Sequence, residues 1–446
     1  MKKRIIGRWA TFALLIASIM LVSSCEKTRL NWPPWRSPGK KTISETAGFD
    51  WPRWRGPDGN GISKETEWNP ESLRNGPKIV WRANVGKGYS NVSIKNYRLY
   101  TMGVKERLTA VYCLNAETGK EIWRRTTENF QDPQSTPTID GEFVYALSKE
   151  GLLLCLKAKN GKIQWKRNIV EEFRVQAPYY GFAGSPVIQD ELITLTVNTA
   201  GMALNKKTGE KVWGSEKPPK KRYHYSGTSA GTEYSTPVIY SQGGKPYTII
   251  ASYEGLHSVD VQTGKLLWLF DWQEAYETGI GCQVTDPIVF DNKLFIVQYY
   301  NYHFGSALFD IGGNSPKVLW TNNNMKSQTS SPVMVDGFFY ACQGGVESSS
   351  GSLRCLDVET GKMMWEEKLE GRPVSLTAAD GKLIILDYKG ALFITEATSS
   401  GYREISRCLI PDQKAYERWW TYPVLCNGKI YCRSYDGDLV CMDVSK

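Results

Sequence analysis

The stretch Val111-Tyr-Cys-Leu-Asn-Ala-Glu-Thr-Gly-Lys-Glu-Ile-Trp123 reads as two short strands joined by a tight turn. Apolar and polar positions alternate with period two on either side of Glu117-Thr118-Gly119-Lys120, and Gly119 supplies the left-handed backbone such a turn needs. The pattern returns in copies ending at Trp165, Trp213, Trp268 and Trp365, each with its Trp four residues after the turn glycine. Degenerate copies end at Trp320 and near Ile405, and Pro77-Lys-Ile-Val-Trp81 adds one more Trp position. Successive positions lie 42, 42, 48, 55, 52, 45 and about 40 residues apart. A period in the forties with four strand-like runs predicts propeller blades, because a helical repeat needs a 3.6-residue periodicity that these runs lack.

The two ends of the array complete each other. Lys78 to Val85 holds the Trp81 of a fourth strand with no three strands before it, whereas residues 421–444 supply three strands and no Trp-bearing fourth. The expected fold is therefore all-β: an eight-bladed β-propeller of four-stranded antiparallel blades, its ring closed by an N-terminal strand with the C-terminal three. Closure leaves no long unpaired edge. Each inner strand begins with a polar residue and then Pro, which is tolerated where no ladder bond is broken. Those polar residues, Thr136, Ser185, Thr236, Asp286, Ser331, Arg372 and Tyr422, should ring one mouth of the central channel. Small hydroxyls dominate, and Asp286, Arg372 and Tyr422 depart from them.

Function in a repeat fold sits in its insertions. The connections from repeat Trp to inner-strand Pro run 14, 21, 24, 19, 12 and 8 residues from Trp123 onward, so the three longest are consecutive and should wall one side of one face. They and the connection before Pro423 carry Arg174, Tyr179, Tyr180, Tyr225, Trp272 and Trp419, a mixture of aromatics and charge suited to a protein partner. Glu233 and Trp420, with Asp286, Arg372 and Tyr422, make a candidate ligand site at the channel mouth.

The N-terminus reads as a leader. Lys2, Lys3, Arg4 and Arg8 precede the apolar run Ala10–Val22 and then Ser23-Ser24-Cys25, which is short for a membrane span and right for a secretory signal. Val22-Ser23-Ser24-Cys25 resembles the bacterial lipoprotein box, which implies lipidation of Cys25 and a membrane anchor. The expected organisation is a signal peptide over 1–24, a Pro- and charge-rich tether over 25–48, a Trp-rich segment over 49–75 that packs on the propeller, and the propeller over 76–446. Residues 1–48 hold nine Lys/Arg and two Glu, which leaves only +2 of the chain's net charge of +9 for the body. A basic leader with a nearly neutral body argues against nucleic-acid binding. Ten Cys without a C-x-x-C or an adjacent pair give no support to metal knuckles or covalent haem, so no metal site is expected. Asp58-Gly-Asn60 lacks the acidic twelfth position of a calcium loop, where Asn69 stands. Cross-strand disulfides such as Cys342–Cys355 or Cys432–Cys441 stay open.

The repeat Ala-x-x-Thr/Asn-Gly-x-x-x-Trp, seen at Ala116–Trp123 and Ala158–Trp165, resembles the tryptophan-docking repeat of the quinoprotein-like eight-bladed propellers over residues 76–446. Trp51-Pro-Arg-Trp-Arg-Gly-Pro-Asp-Gly59 looks like the opening of exported bacterial members of that group. The resemblance implies that Trp81, Trp123, Trp165, Trp213, Trp268, Trp320 and Trp365 dock neighbouring blades. It also implies one of two roles. One is a non-catalytic, monomeric lipoprotein scaffold in the cell envelope, facing the periplasm or the outer-membrane surface, that binds an envelope protein or peptide. The other is a dehydrogenase or sensor holding pyrroloquinoline quinone (PQQ) and calcium. The adjacent-Cys ring of the family dehydrogenases is missing from this chain, so no catalytic residue is assigned and the scaffold reading leads.

Overall fold

The computed structural model describes residues 49–127, 131–215, 234–252, 254–276, 284–299, 305–345, 351–413 and 417–446. Cys25, Tyr225, Glu233 and the whole of residues 1–48 lie outside them. Several of the hairpins between third and outer strands begin with a local bond that fixes the turn. The Asn115 side-chain oxygen accepts from Glu117 N and Thr118 N at 2.9 Å each, and Gly119 N reaches Asn115 O at 2.8 Å. Asn205 and Asp260 repeat the device. Such side-chain-to-backbone turns are what Asn and Asp supply best.

Eight blades of four antiparallel strands follow, in the order inner, second, third and outer, and the sheet of blade 7 gains a fifth, parallel strand at its inner edge. Blades 1 to 7 span 93–127, 138–168, 187–214, 238–271, 288–322, 333–368 and 373–409. Blade 8 joins Lys78–Asn84, as outer strand, to Val424–Cys426, Lys429–Arg433 and Asp438–Asp443. The expected fold class and ring closure are thus observed. Arg433, fully buried, clamps that closure by donating to Ser90 O, Gly86 O and Thr101 Oγ1.

Every pairing of third and outer strands slips by one residue at the same place. In blade 1 the bulge leaves Ile122 unpaired and sets Trp123 opposite Cys113, so the indole faces the next blade. There its ring lies on the next turn glycine. A Cβ on Gly161 would stand 2.5 Å from Trp123, and one on Gly119 would stand 2.6 Å from Trp81. The indole N–H then donates to a carbonyl of that turn: Trp81 to Ala116 O, Trp123 to Ala158 O, Trp165 to Lys206 O, Trp213 to Val261 O, Trp320 to Val358 O and Trp365 to Thr398 O, at 2.7–3.1 Å. Trp268 faces the degenerate fifth blade, and its indole nitrogen has no such acceptor.

The core is divided among the seams. Eight apolar clusters occupy the eight interfaces between adjacent blades. Among the described residues the seam between blades 3 and 4 is built on Leu192, Ala203 and Val261 with Trp213 and Ile239. Cys113, Cys155, Cys355 and Cys441 sit at one repeat position, each opposite a Tyr of the second strand. Cys342 pairs with Leu353 and Cys432 with Val440, so register separates both proposed disulfides, and the eight described cysteines are free.

His257, in the third strand of blade 4, is 4 % exposed, and burial holds its imidazole at about 4 although Asp271 pulls it upward. The folded value lies below the ordinary one of 6.5, so the neutral ring contributes stability above pH 6.5 that is lost as pH falls toward 4. We expect the urea stability of the protein to drop across this window by up to about 3 kcal/mol more than that of His257→Leu. Parallel pH profiles for the two proteins would remove the assignment.

Candidate functional site

The polar residues that open the inner strands form a belt of hydrogen bonds around the channel. In blades 1 to 5 the backbone N–H donates to the side chain at the same position of the following blade. Asn91 N reaches Thr136 Oγ1 (3.1 Å), Thr136 N reaches Ser185 Oγ (3.0 Å), and Ser185 N reaches Thr236 Oγ1 (3.1 Å). Thr236 N then reaches Asp286 Oδ1 (2.7 Å), and Asp286 N reaches Ser331 Oγ (2.9 Å). In blade 7 the position is Arg372, whose side chain has no acceptor atom. The phenol of Tyr422, from blade 8, spans the gap: its oxygen accepts from Ser331 N and its hydroxyl donates to Thr329 O. Ser375 and Thr377 tie blade 7 to blade 8 lower down, through Thr421 O and Pro423 O.

Asp286 has a second task. Residues 49–65 thread the channel from the end opposite the long connections. Trp51 exchanges backbone bonds with Ile94 of blade 1, and Pro52 O accepts from Ile139 N of blade 2. At the belt, Trp54 Nε1 donates to Asp286 Oδ2 at 2.6 Å, and its ring meets Tyr422 edge-on with centroids 4.9 Å apart. Arg55, at φ +58, donates to Pro332 O of blade 6 and lies 4.0 Å from Asp286 Oδ2, with both side chains buried. Backbone of this kind persists only where the surroundings fix it. The chain then descends, with Ile62–Ser63 pairing in parallel with Ala378 and Ala379 of blade 7, Ser63 Oγ donating to Leu425 O and Glu65 Oε2 accepting from Gly428 N in blade 8. Against blades 3 and 4 a small cavity remains, lined by Arg53, Trp54, Asp58, Val187, Thr236 and Val238. The segment therefore bonds to blades 1, 2, 5, 6, 7 and 8, with the cavity between it and blades 3 and 4. Burial pushes the Asp286 carboxyl up, and Arg55, Thr236 N–H and the Trp54 indole pull it back.

On the face of the long connections, Asn168 caps the single-turn helix Ile169–Phe173, and Arg174 ends it in the left-handed conformation at φ +55. The chain then presents Tyr179 and Tyr180, 46 % and 55 % exposed, their rings 4.8 Å apart and edge to face. Tyr180 is fixed by its backbone, whose N–H donates to Tyr234 Oη and whose carbonyl accepts from Gln134 Nε2. Trp272 and Trp419, expected on this surface, are instead 1 % and 0 % exposed. Each fills a seam, Trp272 between blades 4 and 5 and Trp419 between blades 7 and 8, with its indole bonded to Ser252 O and Gln413 Oε1 respectively.

The four described candidate channel-mouth residues do not converge on one point. Asp286 and Tyr422 are buried in the belt, Glu233 lies outside the described residues, and Arg372 and Trp420 belong to a layer nearer the face. There Arg372 stacks on Tyr388 at 4.0 Å and stands 5.6 Å from Trp420. Among the described residues no group of three or more His, Cys, Asp or Glu could hold a metal, and no helix is long and apolar enough to cross a membrane.

Residues 74–298, half of the chain, match the family described as outer membrane protein assembly factor BamB. The chain belongs to this family. BamB of Escherichia coli strain K12 is 23 % identical over 379 residues, covering 71 % of this chain and 88 % of that one. The crystal structure of BamB from Moraxella catarrhalis superposes with a TM-score of 0.59 at 15 % identity, over 82 % of this chain and 99 % of its own. Quinohemoprotein alcohol dehydrogenase from Comamonas testosteroni gives 0.60 at 13 % identity, over 89 % and 80 %, a likeness of fold.

In this BamB-family channel Trp54 and Arg55 stand at the belt, and both oxygens of Asp286 are engaged by the chain's own donors. Sequence reading missed Trp54 and Arg55 as channel residues, and missed Tyr388 and Tyr435 on the face. The last two carried a signal: both stand two residues before the glycine that opens the third strand, in Tyr388-Lys-Gly390 and Tyr435-Asp-Gly437.

Proposed function

We propose that this protein is a lipid-anchored, non-catalytic propeller of the bacterial cell envelope that binds a protein partner during outer-membrane protein assembly. The observation that carries the reading is the occupied channel. With the axis filled by residues 49–65, the surface left for recognition is the face of long connections, where Tyr179 and Tyr180 stand exposed on a fixed backbone. Rigid tyrosines offer large contact area at little entropic cost and recur among residues that dominate binding energy. The family and the names of its relatives support the assembly role, and Val22-Ser23-Ser24-Cys25 supports the anchor.

Replacing Tyr179 and Tyr180 together by alanine should leave folding stability within about 0.5 kcal/mol, as for surface sites. The same change should weaken the complex recovered by crosslinking in native envelopes at least about tenfold. Recovery at the wild-type level would remove this face from the function. Added PQQ with calcium should leave the unfolding temperature unchanged, whereas a ligand that binds the fold raises it; a clear rise would favour the quinone reading instead.

A further inference from the structure

The belt breaks at blade 7, and the residue that breaks it is used elsewhere. Arg372 lies flat on Tyr388 (4.0 Å) and beside Trp420 (5.6 Å). From there a row of rings crosses blades 7, 8 and 1: Tyr388 to Trp420 with centroids 5.7 Å apart, Trp420 to Tyr89 at 5.7 Å, and Tyr89 to Tyr435 at 4.7 Å. At the far end Arg418 stacks on Tyr435 at 4.1 Å. All six side chains are partly exposed.

Backbone bonds between the carrying segments hold the row rigid. Tyr388 N donates to Arg372 O, Trp419 N to Tyr388 O, Tyr435 N to Arg418 O, Gly88 N to Tyr435 O and Tyr89 N to Pro133 O, all at 2.7–3.0 Å. A stacked guanidinium keeps a fixed plane and donates within it, which suits carboxylates. The exposed surroundings are cationic on balance: Lys87 and Lys389 are exposed on the same segments, Asp132 already accepts from the Tyr435 hydroxyl while Asp436 remains, and the neighbouring carboxylates Asp387 and Glu417 are buried, Asp387 accepting from Lys389 N and Ala391 N. A recess lined by Thr329, Gly344, Gly345, Arg372 and Trp420 adjoins the row.

We propose that this row is a docking site for an extended protein segment that carries both carboxylate and aromatic side chains, the carboxylates meeting Arg372 and Arg418 and the rings lying along Trp420 and Tyr89. Charge complementarity selects this occupant: cations at both ends of an aromatic strip disfavour a basic segment and leave a purely acidic one without contact area. The site deepens the scaffold reading and lies on blades 7, 8 and 1, apart from the Tyr179–Tyr180 pair after blade 2.

The test uses the full chain in detergent and a fluorescent peptide of alternating Asp and Phe, read by anisotropy beside peptides of alternating Lys and Phe and of alternating Asp and Ser. The first should bind at least about tenfold more tightly than either control and weaken as salt is raised. Arg372→Gln, Arg418→Gln and Trp420→Ala should each lower its affinity about tenfold or more, as removal of a central contact does, with unchanged melting for at least one of the two Arg variants. Tyr179→Ala with Tyr180→Ala should leave it unaltered. Absence of binding, equal binding of the basic peptide, or indifference to all three row variants overturns the site. None of these results touches the envelope crosslinking that tests the scaffold reading, so the two fail separately.

Discussion

Asp286→Ala is expected to cost about 4 kcal/mol of folding stability, more than any other single polar change in the channel. The carboxylate accepts the backbone N–H of Thr236 at 2.7 Å and the indole N–H of Trp54 at 2.6 Å, and it is the counter-charge of buried Arg55. Alanine leaves two buried donors and one buried guanidinium unanswered. Asp286→Thr separates the two tasks, because blades 2, 3, 4 and 6 carry an accepting hydroxyl at this position. It should restore the acceptor for Thr236 and still lose about 2–3 kcal/mol, the share that belongs to the channel segment. Adding Arg55→Met to Asp286→Ala should recover about 1–3 kcal/mol, since it removes the uncompensated charge. Urea midpoints, or unfolding rates if unfolding is irreversible, measure all three. A loss below about 1 kcal/mol for Asp286→Ala, or no recovery with Arg55→Met, would mean that the pair does not hold the segment.

What could be read in the chain was whatever repeats locally. Alternation around a turn glycine and a Trp four residues later are short-range signals, and their spacing gave eight blades and the composite closure without any contact being known. The partnership between those two residues could not be read, because it links different copies: Trp123 belongs to blade 1 and its glycine, Gly161, to blade 2. The bulge that aims the Trp was hidden for the same reason, since one unpaired residue such as Ile122 changes register without changing composition. Residues 49–65 have no period, so nothing in them announced a channel segment, and Arg55 takes a left-handed backbone that its residue type disfavours. Trp272 and Trp419 show the limit of reading surfaces from composition. Both stand in long connections, but the indole of each fills the seam between two blades. The exceptions Arg372 and Tyr422 were visible as exceptions; that one compensates for the other needed the distances across blades 6 to 8.

The Trp–glycine seat itself yields the second large effect. Gly141 and Gly161 both belong to blade 2 and both have positive φ, +55 and +68. A Cβ on Gly141 would meet nothing within 4 Å, whereas one on Gly161 would lie 2.5 Å from Cε3 and 2.7 Å from Cδ2 of Trp123. Gly141→Ala should therefore show backbone strain alone, about 1 kcal/mol. Gly161→Ala adds displacement of a docked indole, which breaks the 3.0 Å bond from Trp123 Nε1 to Ala158 O and opens the seam between blades 1 and 2, for a total of about 3–4 kcal/mol. Trp123→Ala should cost about 3–5 kcal/mol alone. In that background the seat is empty, so Gly161→Ala should fall back to about 1 kcal/mol, and the coupling of about 2–3 kcal/mol is the measured share of the glycine in docking. Equal losses for Gly141→Ala and Gly161→Ala would reduce the repeat glycine to a turn residue. A large coupling makes the repeat a statement about neighbours: the glycine of each well-formed copy is kept small by the tryptophan of the copy before it, as Gly119, Gly209, Gly264 and Gly361 are by Trp81, Trp165, Trp213 and Trp320.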